Sequence, residues 1–226
     1  LFRSFDLDAI CTLTDLSVEA EDFGQPLIYP ENEAAHPDKT KHILKGEKDY
    51  YDVKRLDPTK TPRMSEHIKL CKILVDEKGK DTPIIAFVFG PLGILSMLRG
   101  AQDMFMDLYD YPEAIHYALN EITETLIDYY DALIDTGVHG IMFDTLYAST
   151  SIMAKDMWLE FEGQYVEKLA KHIRDRGCMT MVHNCGLGVY IHEQIEMMKP
   201  TVFSFLHLPP GCSSFEEVKE KFGSKT

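Results

Sequence analysis

TPIIAFVFGPLGILSMLRG, residues 82–100, decides the fold. Ile84–Phe89 is an unbroken apolar run behind Pro83, and it has the length of a buried strand. Pro91 suits a first helical position and Gly100 a stop. Residues 91–100 therefore predict a short helix at the carboxyl end of that strand.

The same strand–helix unit recurs on either side. Residues 112–137 carry Ile115, Leu119, Ile122, Leu126, Tyr129 and Leu133 at steps of four and three, one stripe at helical period between Pro112 and Gly137. Residues 138–144 (VHGIMFD) predict a strand, and residues 154–176 a helix with Trp158, Phe161, Tyr165, Leu169 and Ile173 on one face. Residues 178–183 (CMTMVH) predict a strand, 188–198 a helix and 201–206 a strand. Residues 213–222 predict a helix with Ser214 and Glu217 spaced as a capping box. Upstream, residues 8–13 read as a strand and 15–23 as a helix stopped by Gly24. Such alternation predicts an α/β fold, a parallel sheet with helices packed outside it. Residues 30–80 break the rhythm. They are polar and proline-bearing, and read as an excursion, partly helical after Pro62, within a single domain spanning 1–226.

Composition limits the partners. The 226 residues hold 23 Lys+Arg against 37 Asp+Glu, a net charge of −14. That balance argues against nucleic acid or an anionic membrane surface, where phosphate repulsion would dominate. No apolar run reaches the about 18–20 residues of a membrane span, and no leader signal opens the chain. Five cysteines, an odd number in a chain too large to need staples, read as reduced thiols of a cytoplasmic protein.

Val182-His183-Asn184-Cys185-Gly186 is the most specific local feature. Strand side chains have period two, so His183 and Cys185 project from one face where a strand ends. An imidazole and a thiolate so placed can share a Zn²⁺, and the carboxyl ends of parallel strands are where active sites collect. Two donors do not make a site, and the pair reads equally as a buried cysteine and a hydrogen-bonded histidine in a turn. Asp144, at the end of its own strand, points to the same mouth. Asp15 is either a pocket carboxylate or the N-cap of the helix after it. Cys11, Cys71 and Cys178 read as core, His172 and His192 as solvated or packed helix residues, and the methionines as core filling.

With these segments in place the chain resembles the uroporphyrinogen decarboxylase superfamily and, within it, the zinc-dependent methylcobamide:coenzyme M methyltransferases. DLDAICTLTDLSVEAEDFG (6–24) looks like the family's second barrel strand and following helix. FGPLGILSMLRG (89–100) is similar to its segment after the third strand, and GVHGIMFDTLYAS (137–149) resembles the strand that ends in an Asp. VHNCG (182–186) matches the first two ligands of the methyltransferases' zinc site, a motif the metal-free decarboxylases lack. Asp15 matches a functional Asp of the decarboxylases, whereas their functional Tyr falls near Leu98 and has no counterpart here.

The resemblance implies a (β/α)8 TIM barrel with Zn²⁺ at its carboxyl mouth. It implies a methyl group arriving on a methylcobamide carried by a partner corrinoid protein, and a small thiol such as coenzyme M as acceptor. His183 and Cys185 would be ligands, His207 a displaceable further ligand, and Asp144 and Asp15 would line the pocket. The family's last cysteine ligand has no counterpart. Cys212 sits in a similar Pro-Gly-Cys context but too early in barrel order. Two other functions stay open: a metal-free decarboxylase acting on a tetrapyrrole, and a non-catalytic partner of the corrinoid protein. Only barrel strands two to six can be placed, and a (β/α)8 domain takes about 250 residues. The expectation is a fragment, an open barrel holding part of the zinc site.

Overall fold

The computed structural model describes residues 7–226; the first six residues, part of the expected domain, lie outside the described residues, and with them Asp6, the first residue of the 6–24 family-like segment. Ile10–Cys11 forms β1, and Val18–Asp22 forms α1, ended where Gly24 takes φ +99°. β2 (Leu27–Ile28) pairs antiparallel with β3 (His36–Pro37), followed by α2 (Glu47–Tyr50) and α3 (Pro62–Lys78). The regular rhythm then runs through β4 (Ile84–Phe89), α4 (Pro91–Arg99), α5 (Ala101–Asp110), α6 (Pro112–Asp135) and β5 (Gly140–Asp144). α7 (Lys155–Trp158) continues through a π turn at Leu159–Gly163 into α8 (Gln164–Asp175). β6 (Met179–Asn184), α9 (Ile191–Met198), β7 (Val202–Phe205) and α10 (Phe215–Phe222) complete the described chain.

β1, β4, β5, β6 and β7 lie side by side in that order, and every pair is parallel. Helices follow each strand, giving five strands of a (β/α)8 barrel, open between β1 and β7 as expected. The predicted stripe of α6 is fully buried from Ile115 to Leu133 and packs with Ile84, Val88, Ile141 and Phe143 of the sheet in one continuous core. Burial of these side chains contributes about 1.5–3 kcal/mol each. A second, smaller cluster joins Val189, Ile191 and Ile195 to Val218 and Phe222 beneath α10. At the start of α10, Glu217 N donates to Ser214 Oγ (3.3 Å) and Ser213 N to Glu217 Oε2 (2.7 Å), so the cap forms across both serines.

The excursion over 30–80 carries the helix expected after Pro62 as the 17-residue α3. Three details differ from the sequence reading. The excursion also holds β3, half of a small ribbon. A second helix, α5, follows α4, because Gly100 at φ +88° breaks the first helix and Met104 and Leu108 give the next its own buried face. The helix expected over 154–176 is interrupted by the π turn, which turns Glu162 inward among Trp158, Phe161 and Gly163.

Candidate metal and catalytic site at the strand ends

Sheet register aligns the site. Phe89 pairs with Asp144, Asp144 with His183 and His183 with Ser204, one row across four strands at their carboxyl ends. Partners in one row share a face. Along β6 burial alternates: Thr180, Val182 and Asn184 are buried against the helices, while Met179, Met181 and His183 are half-buried on the barrel's inner face. β6 ends at Asn184, so the alternation places His183, while Cys185 lies one residue beyond the strand, near enough to Asp144 for that carboxylate to act on its thiol.

His183 Nδ1 lies 3.0 Å from Ser204 Oγ, and burial pushes the ring's pKa down. Asn184 is fully buried and fixes the turn between the two candidate ligands. Its Nδ2 donates to the Thr145 carbonyl at 2.5 Å, and its Oδ1 accepts from Gly186 N at 2.7 Å. The loop after Cys185 is laced to the loop after β5: Thr150 N donates to Gly188 O (2.9 Å), Ser151 N to Leu187 O (3.2 Å) and Tyr190 N to Ala148 O (3.0 Å). Gly186 is glycine because a Cβ there would meet Ser149 Oγ and lie 2.6 Å from Ser149 Cβ. Cys185 is half-buried; burial first, and then the Asp144 carboxylate, push its thiol pKa up.

Asp144 is 6% exposed, its Oδ1 has no hydrogen-bond partner among the described residues, and burial pushes its carboxyl up to about 7. Behind it stands Glu162, fully buried on the π turn. Trp158 Nε1 donates to Glu162 Oε2 at 2.8 Å, while Oε1 is unpartnered; burial pushes this carboxyl up to about 8, and Asp144 adds to the effect. Gly90 lets the two elements meet: a Cβ there would stand 2.5 Å from Asp144's main-chain oxygen and 3.0 Å from Glu162 Oε1. π turns are frequent at functional sites.

Asp15 stands on the loop after β1, at the same end of the sheet. Its Oδ1 accepts from Ser17 N (2.8 Å), and its Oδ2 pairs with Arg63, which also pairs with Glu21. Its bonds thus run to Ser17 and Arg63, not to Asp144, His183 or Cys185. The N-cap of α1 is Ser17 rather than Asp15. His207 is exposed just beyond β7, and Cys212 packs at the edge of the α10 cluster, so neither is joined by a bond to His183. Cys71 is core, as expected; Cys178 is half-buried against it, and Cys11, expected in the core, is exposed because β1 is the open edge of the sheet. Among the described residues no three His, Cys, Asp or Glu side chains gather in metal-holding geometry. The imidazole of His183 and the thiol of Cys185 are zinc donors in type, and two such donors are fewer than a zinc site needs.

Sequence reasoning missed Ser204, Asn184 and Glu162. Glu162 carried a signal, since it falls four residues after Trp158 and three before Tyr165, on the helix's apolar face. Ser204 carried none, because only the β6–β7 register brings it to His183.

The uroporphyrinogen decarboxylase (URO-D) family pattern matches residues 1–225. Methylcobamide:CoM methyltransferase MtbA of Methanosarcina mazei is 24% identical over 179 residues, covering 79% of this chain and 52% of that protein. A uroporphyrinogen decarboxylase of Helicobacter acinonychis is 23% identical over 193 residues, covering 82% and 55%. A solved structure, a methyltransferase from Methanosarcina mazei, shares the fold with a TM-score of 0.73 at 22% identity, over 85% of this chain and 55% of that one. The chain thus spans about half the length of the curated relatives it matches. With the matched residues running from one end of the barrel segment to the other, this chain belongs to the uroporphyrinogen decarboxylase family.

Proposed function

We propose that the whole protein is an enzyme that moves a methyl group from a methylcobamide, carried by a partner corrinoid protein, to a small thiol such as coenzyme M. The observation that carries this reading is the half-buried His183 ring at the strand ends, bonded only through Nδ1 and paired in register with Asp144, whose carboxylate also acts on the nearby Cys185 thiol. The methylcobamide:CoM methyltransferases among the relatives support the same reaction class.

In this reading His183 Nε2 and Cys185 Sγ are two protein ligands of a Zn²⁺, with His207 a displaceable one and a further ligand from outside the described residues. When bound, zinc supplies stabilisation of the acceptor thiol as thiolate at neutral pH. The chain's own residues orient and enclose. Asp144 offers its unpartnered Oδ1 to the substrate beside Cys185. Asp15, held by Arg63, lines the same rim. Met142 and Met181, paired below His183 in the sheet, form an apolar floor that limits water. Five free cysteines support a cytoplasmic location, and no helix among the described residues is long and apolar enough to cross a membrane.

The test uses the full-length protein: its zinc content, and methyl transfer from a methylated corrinoid protein to coenzyme M. Stoichiometric zinc and transfer, both lost in Cys185→Ala, are expected. No bound zinc, or undiminished transfer by Cys185→Ala, overturns the reading. Metal-independent decarboxylation of uroporphyrinogen would place the protein on the other branch, and corrinoid-protein binding without turnover would make it an accessory subunit.

A further inference from the structure

Asp15 leaves the sheet with little strand of its own to hold it. β1 pairs with β4 only at Ile10 and Cys11, on the open edge, and its main-chain bonds to β4 end with Thr12 N donating to Ile85 O at 2.9 Å. Asp15 follows three residues later. Yet its carboxylate is only 10% exposed and both oxygens are bonded, Oδ1 to Ser17 N and Oδ2 to Arg63.

The groups that hold this stretch come from α3. Arg63, His67 and Cys71 fall at steps of four along that helix, which puts them on one face. Arg63 pairs with Asp15. One turn later His67 Nε2 lies 2.6 Å from Thr12 Oγ1, and one turn further Cys71 Sγ lies 3.7 Å from the same oxygen. α3 is itself fixed at its start, where Asp22 accepts from Arg63 N (3.0 Å) and Met64 N (2.7 Å).

The direction of the His67 bonds is decided by a carbonyl. Thr12 Oγ1 also reaches Ile85 O at 3.4 Å, and a carbonyl only accepts. Burial holds the His67 pKa down at about 4, so the ring carries one N–H at neutral pH. With that proton on Nε2, Tyr129 O–H donates to Nδ1, Nε2–H to Thr12 Oγ1 and Thr12 O–H to Ile85 O, so all three donors have acceptors. With it on Nδ1, the ring donates to Tyr129 Oη, and the fully buried Tyr129 hydroxyl is left with no acceptor among the described residues. A stranded buried donor costs more than the whole worth of a satisfied bond, so the first arrangement holds.

We propose that His67 is a positioning residue for Asp15: by donating to Thr12 it fixes the end of β1 against α3, the same helix whose Arg63 holds the Asp15 carboxylate at the mouth. The catalytic consequence rests on the reading above, in which Asp15 lines the rim; the placement of Asp15 does not.

The Ser17 amide reports that placement, because it donates to Asp15 Oδ1 at 2.8 Å. The experiment measures hydrogen exchange at the Ser17 amide in full-length protein, with the amides of β6 as the control, and methyl transfer as kcat and KM alongside. Thr12→Val removes the hydroxyl and keeps the shape, and His67→Leu removes its donor. Each is expected to speed Ser17 exchange about tenfold while β6 is unchanged, and the double variant to add nothing further. Thr12→Ser, which keeps the hydroxyl, is expected to retain the wild-type rate. kcat/KM is expected to fall about tenfold in Thr12→Val and to recover in Thr12→Ser. If one of the two removing variants does not fold, the other carries the test. Unchanged Ser17 exchange in a folded variant, equal acceleration at β6, or additive effects in the double variant overturn the proposal. Undiminished kcat/KM beside a loosened Ser17 overturns its catalytic consequence. A protein without methyl transfer whose Ser17 protection still depends on Thr12 and His67 would defeat the proposed reaction and leave the positioning of Asp15 standing.

Discussion

Trp158 Nε1 donates to Glu162 Oε2 at 2.8 Å across one turn of the π-distorted helix, and this bond holds a fully buried carboxyl behind Asp144. Burial pushes Glu162 from its ordinary 4.5 up to about 8, so the folded protein keeps a proton that the unfolded chain has released between those pH values. The native state then binds more protons, and stability falls as pH rises through that window. Glu162→Gln keeps an acceptor for the indole and removes the ionisation. Its unfolding free energy should match the wild type at pH 5 to within about 1 kcal/mol, and exceed it at pH 9 by on the order of 1–3 kcal/mol. Asp144 and Glu19, also raised by burial, keep part of the slope in the variant. Denaturant unfolding across pH checks this, and parallel curves for the two proteins would refute it.

The acid side should show the opposite slope from another residue. His67 on α3 is buried, with Nε2 2.6 Å from Thr12 Oγ1 and Nδ1 bonded to Tyr129 Oη. Burial pushes its pKa from 6.5 down to about 4, so here the unfolded chain binds the extra proton. This contribution is present above pH 6.5 and is lost as pH falls toward 4. His67→Gln should cost about 1–3 kcal/mol at pH 7, through the disturbed bonds to Thr12 and Tyr129. Its stability should then fall less than the wild type's between pH 6.5 and 4. An equal or steeper acid limb in the variant would contradict the assignment.

The residues that were legible in the sequence share one property: their signal is local. The apolar run Ile84–Phe89 and the stripe of α6 are set by neighbours within a few positions, and both elements formed where periodicity placed them. His183 was legible as a strand-end residue because strand alternation needs no partner strand, and β6 carries that alternation as far as Asn184. Ser204 was not, because its meaning comes from the β6–β7 register. The π turn was hidden because shifting one turn of hydrogen bonds leaves Trp158, Phe161 and Tyr165 as apolar as before. The ribbon of Leu27–Ile28 with His36–Pro37 was hidden because two-residue strands carry no alternation to read. Asp15 illustrates the reverse case: its place at the rim was legible, but its partner Arg63 comes from α3 and only the fold reveals the pair.

Asn184 should be costly to lose although it is no ligand in the proposed chemistry. Its amide spans from the Thr145 carbonyl to Gly186 N in a fully buried setting. Asn184→Ala strands both groups and should destabilise the protein by about 1–3 kcal/mol. Asn184→Asp keeps the acceptor for Gly186 N, but loses the donor to Thr145 O and places a carboxylate against that oxygen, so it should be worse than alanine at pH 7. Thermal unfolding orders the three proteins; an aspartate variant as stable as wild type would show that the turn is held by something else.

The packing of the two loops at the mouth predicts a suppressor. At Gly186 an added Cβ collides with Ser149 Oγ and comes within 2.6 Å of Ser149 Cβ, and Ser149 is itself buried and bridged to Val189. The serine cannot swing clear by a bond rotation alone, since its Cβ is part of the collision. Gly186→Ala should therefore displace the loop that carries Cys185 and cost about 1–3 kcal/mol. Removing the opposing side chain in Ser149→Gly should cost less alone than the two single effects predict together. The double variant should recover at least half of the Gly186→Ala loss, a coupling that a double-mutant cycle reads directly. The side chains touch only in the folded loop pair, so additive costs would mean that residues 149 and 186 are not packed against each other.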